Sequence, residues 1–214
     1  MWERLGSLPR AGTKAMSEEV QRGLRLARMA DVRDAELAAL AQAGDREAFG
    51  ELVARYAPQA RRVARAILGN AADADDAAQD GFLAALKHLG RYDPTRPFGP
   101  WLMRIVANAA RDRWRRRKVR SAEAISPTLP AGQPGPDRTA ESRLFDEALR
   151  SALDRLPEQQ RLAVVLFDVE GYTHREIARI LDIPEGTVRS HVFHARRALR
   201  KALAGWRESR EDTV

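Results

Sequence analysis

Residues 172–200 read YTHREIARILDIPEGTVRSHVFHARRALR, and this stretch decides the fold. Thr173 and Glu176 stand three apart, the spacing at which a hydroxyl takes one orphan N–H of a starting helix and a carboxylate returns to another. A short helix therefore begins at Thr173, with Ile177, Ala178 and Leu181 facing inward. Asp182-Ile183-Pro184 breaks it, and Asp182 occupies the turn position where glycine is usual, a left-handed conformation that Asp tolerates better than most residues. The next helix has Val188, Val192, Ala195 and Leu199 as its buried stripe, which turns Ser190, Phe193, His194 and Arg197 outward, flanked by Arg189 and Arg200. Two short helices with this break form a helix-turn-helix. From Gly186 to Lys201 there are five Lys/Arg and no carboxylate. That charge lowers the cost of approaching phosphates and leaves Arg189 free to read guanine, with Phe193 against thymine methyl groups. A merely solvated basic helix is the plainer alternative, and the cap and turn on its amino side argue against it.

Outward from this motif the periodicity stays helical. Leu162, Val165, Leu166 and Val169 follow Pro157 at helical spacing and end at Gly171, and another helix is expected from about Glu141 to Leu156. Upstream, Phe49, Leu52, Val53, Tyr56, Ala60, Val63 and Ile67 make one long amphipathic helix from Asp45 to Leu68, stopped by Gly69-Asn70. A second runs from about Ala72 to Leu89 with Ala78, Phe82, Leu86 and Leu89 on one stripe, and a third begins near Pro100. No segment alternates in the manner of a strand, so the fold class is all-α. Between Val119 and Thr139 the composition shifts to Ser, Gly and four prolines (Pro127, Pro130, Pro134, Pro136), which resist helix and sheet alike. The expected organisation is an extension over 1–33, a helical domain over 34–118, a flexible linker over 119–139, a second helical domain over 140–206 and a tail over 207–214.

The third helix of the first half carries Leu102, Ile105, Val106 and Ala109 on one face and Trp101, Arg104, Asn108, Arg111 and Arg115 on another. It ends in a run holding seven Lys/Arg from Arg111 to Arg120. Cations at a helix C-terminus have a structural reason of their own. An aromatic platform beside an amide and cations also suits unpaired bases, and the reading favoured is melted or melting DNA.

The chain has 214 residues, of which 44% are hydrophobic and 31% charged, enough to bury a core and too little for a large multidomain enzyme. Its 37 Lys/Arg against 30 Asp/Glu give a net charge of +7, which points to a polyanionic partner, nucleic acid ahead of anionic lipid. With 0 Cys, disulfides and thiolate metal or nucleophile sites are excluded, which suits a reducing cytoplasm. No apolar run approaches the roughly 20 residues of a membrane span, and residues 1–20 lack the apolar centre of a secretory signal. Met16, just ahead of a helix-start composition, is an alternative start of translation. Three other readings stay open on the residues alone. Asp73, Asp75, Asp76 and Asp80 offer hard oxygen ligands for a divalent-metal nuclease, though no His or Lys nearby completes a catalytic set, and His174, His191 and His194 offer nitrogen to zinc without a thiolate or obvious carboxylate. A dimeric operator-binding regulator would share the helix-turn-helix, yet its partner domain would alternate strands with helices.

Two stretches carry a resemblance. DADDAAQDGFLAAL (Asp73 to Leu86), followed by FGPWLMRIVANAARDRWRRR (Phe98 to Arg117), resembles region two of bacterial sigma factors of the extracytoplasmic-function group. LDRLPEQQRLAVVLFDVEGYTHREIARILDIPEGTVRSHVFHARRAL (Leu153 to Leu199) resembles region four of that group. The resemblance implies a promoter-specificity subunit without catalysis or cofactor of its own, a cytoplasmic bacterial protein, monomeric when free. It implies that Asp75, Asp76, Gln79 and Asp80 meet the clamp helices of the largest subunit of core RNA polymerase, while region four meets the flap of the second. The loop with Arg91, Tyr92, Thr95 and Arg96, and the helix with Trp101, Arg104, Asn108, Arg111 and Arg115, would take the −10 element and a flipped base. Thr187, Arg189, Ser190, Phe193, His194 and Arg197 would take the −35 element. An anti-sigma factor is the implied regulator. The chain departs from the pattern at His191 and His194, where many relatives carry Arg, which leaves the promoter sequence open. Ala77, Ala78 and Gly81 replace larger residues and predict a thinner core, with about 1 kcal/mol of helix cost at the glycine. Pro184 takes a place where a capping Ser is common, pre-setting the first turn instead.

Overall fold

Asp45 accepts hydrogen bonds from the backbone N–H of Glu47 and Ala48, at 2.9 and 3.1 Å, and so starts a long helix of the first half. A computed structural model of the protein describes residues 32–123 and 140–211. The first half holds α1 (Asp34–Gln42), α2 (Arg46–Leu68), α3 (Ala71–His88) and α4 (Phe98–Glu123), with a single 3-10 turn at Leu89–Arg91. Gly69, at φ 78°, closes α2, and Asn70 caps α3 through the N–H of Asp73. Pro58 lies within α2 without ending it. The second half holds α5 (Ala140–Asp154), α6 (Glu158–Val164) widening into one π turn at Val165–Val169, α7 (His174–Leu181) and α8 (Glu185–Glu211). All regular structure among the described residues is helical.

Leu52, Ala60, Val63, Ala64 and Ile67 of α2 pack with Ala74, Ala77, Ala78 and Phe82 of α3 and with Leu102, Met103, Val106 and Ala110 of α4. Gly81 explains how closely α3 and α4 approach. A Cβ there would stand 2.8 Å from Cγ2 and 3.0 Å from Cα of Val106. The residue expected only to weaken its helix is thus the one that lets the two helices touch. Leu86, placed on the buried stripe by its spacing, is 49% exposed, because the stripe that faces α4 runs instead through Ala74, Ala77, Gly81 and Ala85.

The helix-turn-helix forms as its residues dictate. Thr173 and Glu176 make the reciprocal capping box, and Asp182 sits at φ 59°, ψ 47°. Ile177, Ile180 and Leu181 of α7 and Val188, Val192 and Ala195 of α8 are buried, while Ala178 is half-buried.

Two expectations about boundaries change. Helix α4 continues to Glu123, into the segment expected to start the linker at Val119, and α8 continues to Glu211, into the expected tail. The remainder of the Pro-rich segment, residues 124–139, and most of the expected amino-terminal extension lie outside the described residues. The two halves also pack on each other, which a linker does not foretell. One apolar cluster runs from Leu102 and Val106 into Leu162, Leu166 and Ile177. Across the seam Arg62 and Gln59 of α2 both donate to Glu170, whose side chain is only 3% exposed, and Arg161 donates to the Ala66 carbonyl.

Candidate nucleic-acid interface

Helix α8 presents the exposed half of the motif. Arg189, Ser190, Phe193, His194 and Arg197 are exposed and Thr187 is half-buried at the start of the helix. Phe193, at 62% exposure, is a large aromatic left in water with the His194 ring edge-on at 5.5 Å. Arg189 is not free, as its charge suggested it would be: its guanidinium donates to Glu185 one turn earlier at 2.6 Å. Such an exposed pair is weak, and it holds the arginine along the helix face. His191 leaves the reading face altogether. It is half-buried and lies 3.1 Å from the Gln159 side chain of α6. His174 stacks on Phe167 at 4.4 Å. The three histidines therefore sit in three different surroundings, and the zinc reading fails; no group of three metal-ligating side chains occurs among the described residues.

In the first half, the loop after α3 is built on an aromatic cluster. Phe98 packs against Tyr56, Tyr92 and Trp101 with ring centres 5.6, 5.3 and 5.3 Å away. Tyr92, expected to face DNA, is 4% exposed. Its ring fills this core and its hydroxyl donates to the Arg96 carbonyl, so it shapes the loop from inside. Gln42 fixes the same loop by donating to the carbonyls of Leu89 and Tyr92, both at 2.8 Å. Arg91, Thr95 and Arg96 are exposed. Thr95 donates through N–H and hydroxyl to Asp93, at 3.0 and 2.7 Å, which holds that carboxyl below its ordinary range.

Along α4, Trp101 is half-buried in the aromatic cluster rather than a free platform, while Asn108 and Arg115 are exposed. Arg104 pairs with Asp182 at 3.1 Å and Arg111 with Glu158 at 3.2 Å, both carboxylates belonging to the second half. The basic run itself divides. Arg113 reaches Asp73, Asp76 and Asp80 of α3, and Arg117 reaches Asp73. The acidic cluster offered to a metal is thereby neutralised by arginine. The Asp73 carboxyl is held below its ordinary range, first by the Asn70 amide and then by these arginines.

The outer face of α3 stays exposed to solvent, with its carboxylates paired to arginines of α2 and α4. Asp75, Asp76, Gln79 and Asp80 are exposed, with Asp75 3.1 Å from Arg61. Leu83 and Leu86 continue the same face at 58% and 49% exposure. Neither is expected there from the sequence. Their spacing from Gln79 and Asp80 along a helix was the available signal, masked by reading Leu86 as core. An acidic stripe with an apolar end suits a basic protein partner.

Comparison with known proteins fits this division. Residues 52–120 match Sigma-70 region 2 and residues 146–199 match Sigma-70, region 4. The chain is 41% identical over 170 residues to the ECF RNA polymerase sigma factor SigM of Mycobacterium tuberculosis, covering 79% of this chain and 84% of SigM. It belongs to the ECF sigma factors. Among solved structures, CnrH of Cupriavidus metallidurans in complex with the cytosolic domain of CnrY matches at a TM-score of 0.62 and 31% identity, covering 80% of this chain and 97% of that one. The sigma factor RpoE of Bartonella quintana in complex with the anti-sigma factor NepR shares the fold, with a TM-score of 0.65 at 22% identity over 73% of this chain and 96% of that one. This sigma factor thus has its helix-turn-helix inside the region 4 match and its aromatic loop inside the region 2 match.

Proposed function

We propose that the chain directs promoter-specific transcription initiation by attaching core RNA polymerase to −35 and −10 elements and helping to melt the latter. The observation that carries this is the order of both sigma regions on one chain, each with an exposed face suited to its partner. Domain 34–118 would grip the polymerase clamp through Asp75, Asp76, Gln79 and Asp80, extended by Leu83 and Leu86. The loop Arg91–Arg96 and the exposed positions of α4 would take the −10 strand. There Asn108 offers an amide to a base edge and Arg104 and Arg115 offer charge to phosphates, with the half-buried Arg111 beside them. Tyr92 and Trp101 would act by shaping the loop on which a flipped base rests. Domain 140–206 would meet the polymerase flap and lay α8 in the major groove upstream, with Arg189, Ser190 and Phe193 at base edges and Thr187, His194 and Arg197 near phosphates. The polymerase supplies the chemistry; this chain supplies position. An anti-sigma protein is its expected regulator, and no helix among the described residues is long and apolar enough to cross a membrane.

In vitro transcription with purified bacterial core polymerase and genomic promoter fragments tests the proposal. Initiation at discrete sites only when the chain is added is the expected result. An active core that shows no new start sites, and a chain that fails to co-migrate with it, would overturn it.

A further inference from the structure

Val188, Val192 and Ala195 are the buried members among the described side chains of α8. Short apolar groups of this kind hold a helix close without fixing its angle about its own axis, because apolar burial has no direction. Directional contacts are needed for that, and Arg196 makes a set of them. Its Nε and Nη2 both donate to the Asp168 carboxylate, Nε at 2.9 Å, and its guanidinium lies 5.0 Å from the centre of the Phe167 ring. Phe167 in turn stacks on His174, the first residue of α7, at 4.4 Å with 24° between the planes. Phe167 and Asp168 reach α8 from the π turn at Val165–Val169. A π turn carries one residue more than an α turn. Here Val165 and Leu166 stay buried, Phe167 and Asp168 meet α8, and Glu170 just beyond meets α2.

We propose that Arg196 is a positioning residue for promoter specificity: held by Asp168 and Phe167, it fixes the rotation of α8 and thereby which base edges Arg189, Ser190 and Phe193 reach. The inference rests on the promoter reading above. A forked arginine–carboxylate pair and a stacked ring face each demand one orientation of the guanidinium. The contact of His191 with Gln159 at 3.1 Å ties the same helix to α6 one turn earlier. Side-chain tips lie about 5–6 Å from a helix axis, so a rotation of about 20° carries them about 2 Å, more than a hydrogen bond to a base edge survives. The Asp168 and Arg196 side chains are 35% and 49% exposed, and a pair this open adds little to stability. Its effect is on geometry. The plainer account makes Arg196 a phosphate contact with Asp168 as a bystander, and the two accounts part at Asp168→Asn. Removing a carboxylate that merely competes with phosphate frees a cation and tightens binding to every sequence, whereas removing a positioning partner relaxes the choice of sequence.

The full-length protein with bacterial core polymerase is presented with duplexes randomised across the −35 element, and the bound fraction is sequenced. Asp168→Asn and Arg196→Lys are each expected to lower discrimination between the preferred sequence and its single-base variants about fivefold, the lower end of the cost of one mismatched base pair. The salt dependence of binding and the thermal midpoint should stay at their wild-type values. The double variant should be no worse than either single one, since both break one contact, and Asp168→Glu, which can renew the fork, should recover most of the discrimination. With neither DNA nor polymerase present, the Arg196 Nε–H should give a slowly exchanging NMR signal that Asp168→Asn removes. Uniformly tighter binding by Asp168→Asn, full discrimination by Arg196→Lys, a loss of discrimination that tracks a fall in the thermal midpoint, or an Nε–H signal unaltered by Asp168→Asn overturns the inference. A wild type that discriminates no sequence overturns the promoter reading and this inference with it, whereas discrimination kept by every variant overturns this inference alone.

Discussion

At position 81 a single methyl group decides whether α3 and α4 fit. Alanine would improve helix propensity by about 1 kcal/mol, but its Cβ would press on Val106 backbone and side chain at 3.0 Å or less. Backbone on the far side cannot swing away, so Gly81→Ala is expected to destabilise the protein by about 1–3 kcal/mol, read as a lower urea midpoint. The same residue shows where sequence reading stops. Propensity is a property of one helix, whereas the need for glycine here comes from a second helix that no local pattern reveals. Asp182 is the opposite case, since its left-handed turn was legible from its place between two short helices and from the few residue types that tolerate it. Tyr92 enters through the resemblance, which marks a position and says nothing of burial; its ring partners Phe98 and Trp101 come from the next helix, where no local pattern points to them. On α8, Arg189→Ala is expected to cost roughly 1–3 kcal/mol at one base position of the upstream element. Gel-shift titration against a set of single-base promoter variants checks this; equal loss on every sequence would make Arg189 a phosphate contact.

Each helix carries more than one surface, and the sequence separates them unequally well. The buried stripes of α2, α7 and α8 follow plain three- and four-residue steps and were legible for that reason. Helix α3 was not, because alanines fill its inner face and leave two leucines outside. Leu83→Ser combined with Leu86→Ser should weaken binding to core polymerase at least about tenfold, given roughly 1.5–3 kcal/mol for each leucine fully buried on association. The thermal midpoint should stay close to wild type, because both side chains already face water. Co-migration on native gels and a melt of the same preparations check the two halves of that expectation. The join between α3 and α4 also carries a pH dependence. Asp73 has a folded-state pKa below its unfolded one, through Asn70, Arg113 and Arg117. Its stabilisation is therefore fully present above the ordinary carboxylate range and is lost as the pH falls through the lowered value. Asp73→Asn should flatten the acid limb of a stability-versus-pH curve measured by circular dichroism.

The largest feature that the sequence leaves dark is how the halves sit together. Each was legible as a helical domain from its own periodicity, but the seam joins residues about a hundred positions apart, as Gln59 with Tyr172 and Arg62 with Glu170. Nothing local marks those side chains as partners. A core shared in this way predicts one calorimetric unfolding transition for the full chain. Gly99→Ala, whose Cβ would meet the Tyr172 hydroxyl at 2.7 Å and Tyr56 Cε1 at 3.1 Å, presses on the seam and on the first half's aromatic cluster together and should lower the midpoint of that transition. Glu123 and Ala140 bound the chain that joins α4 to α5, and so short a tether keeps each half at an effective concentration on the order of millimolar around the other.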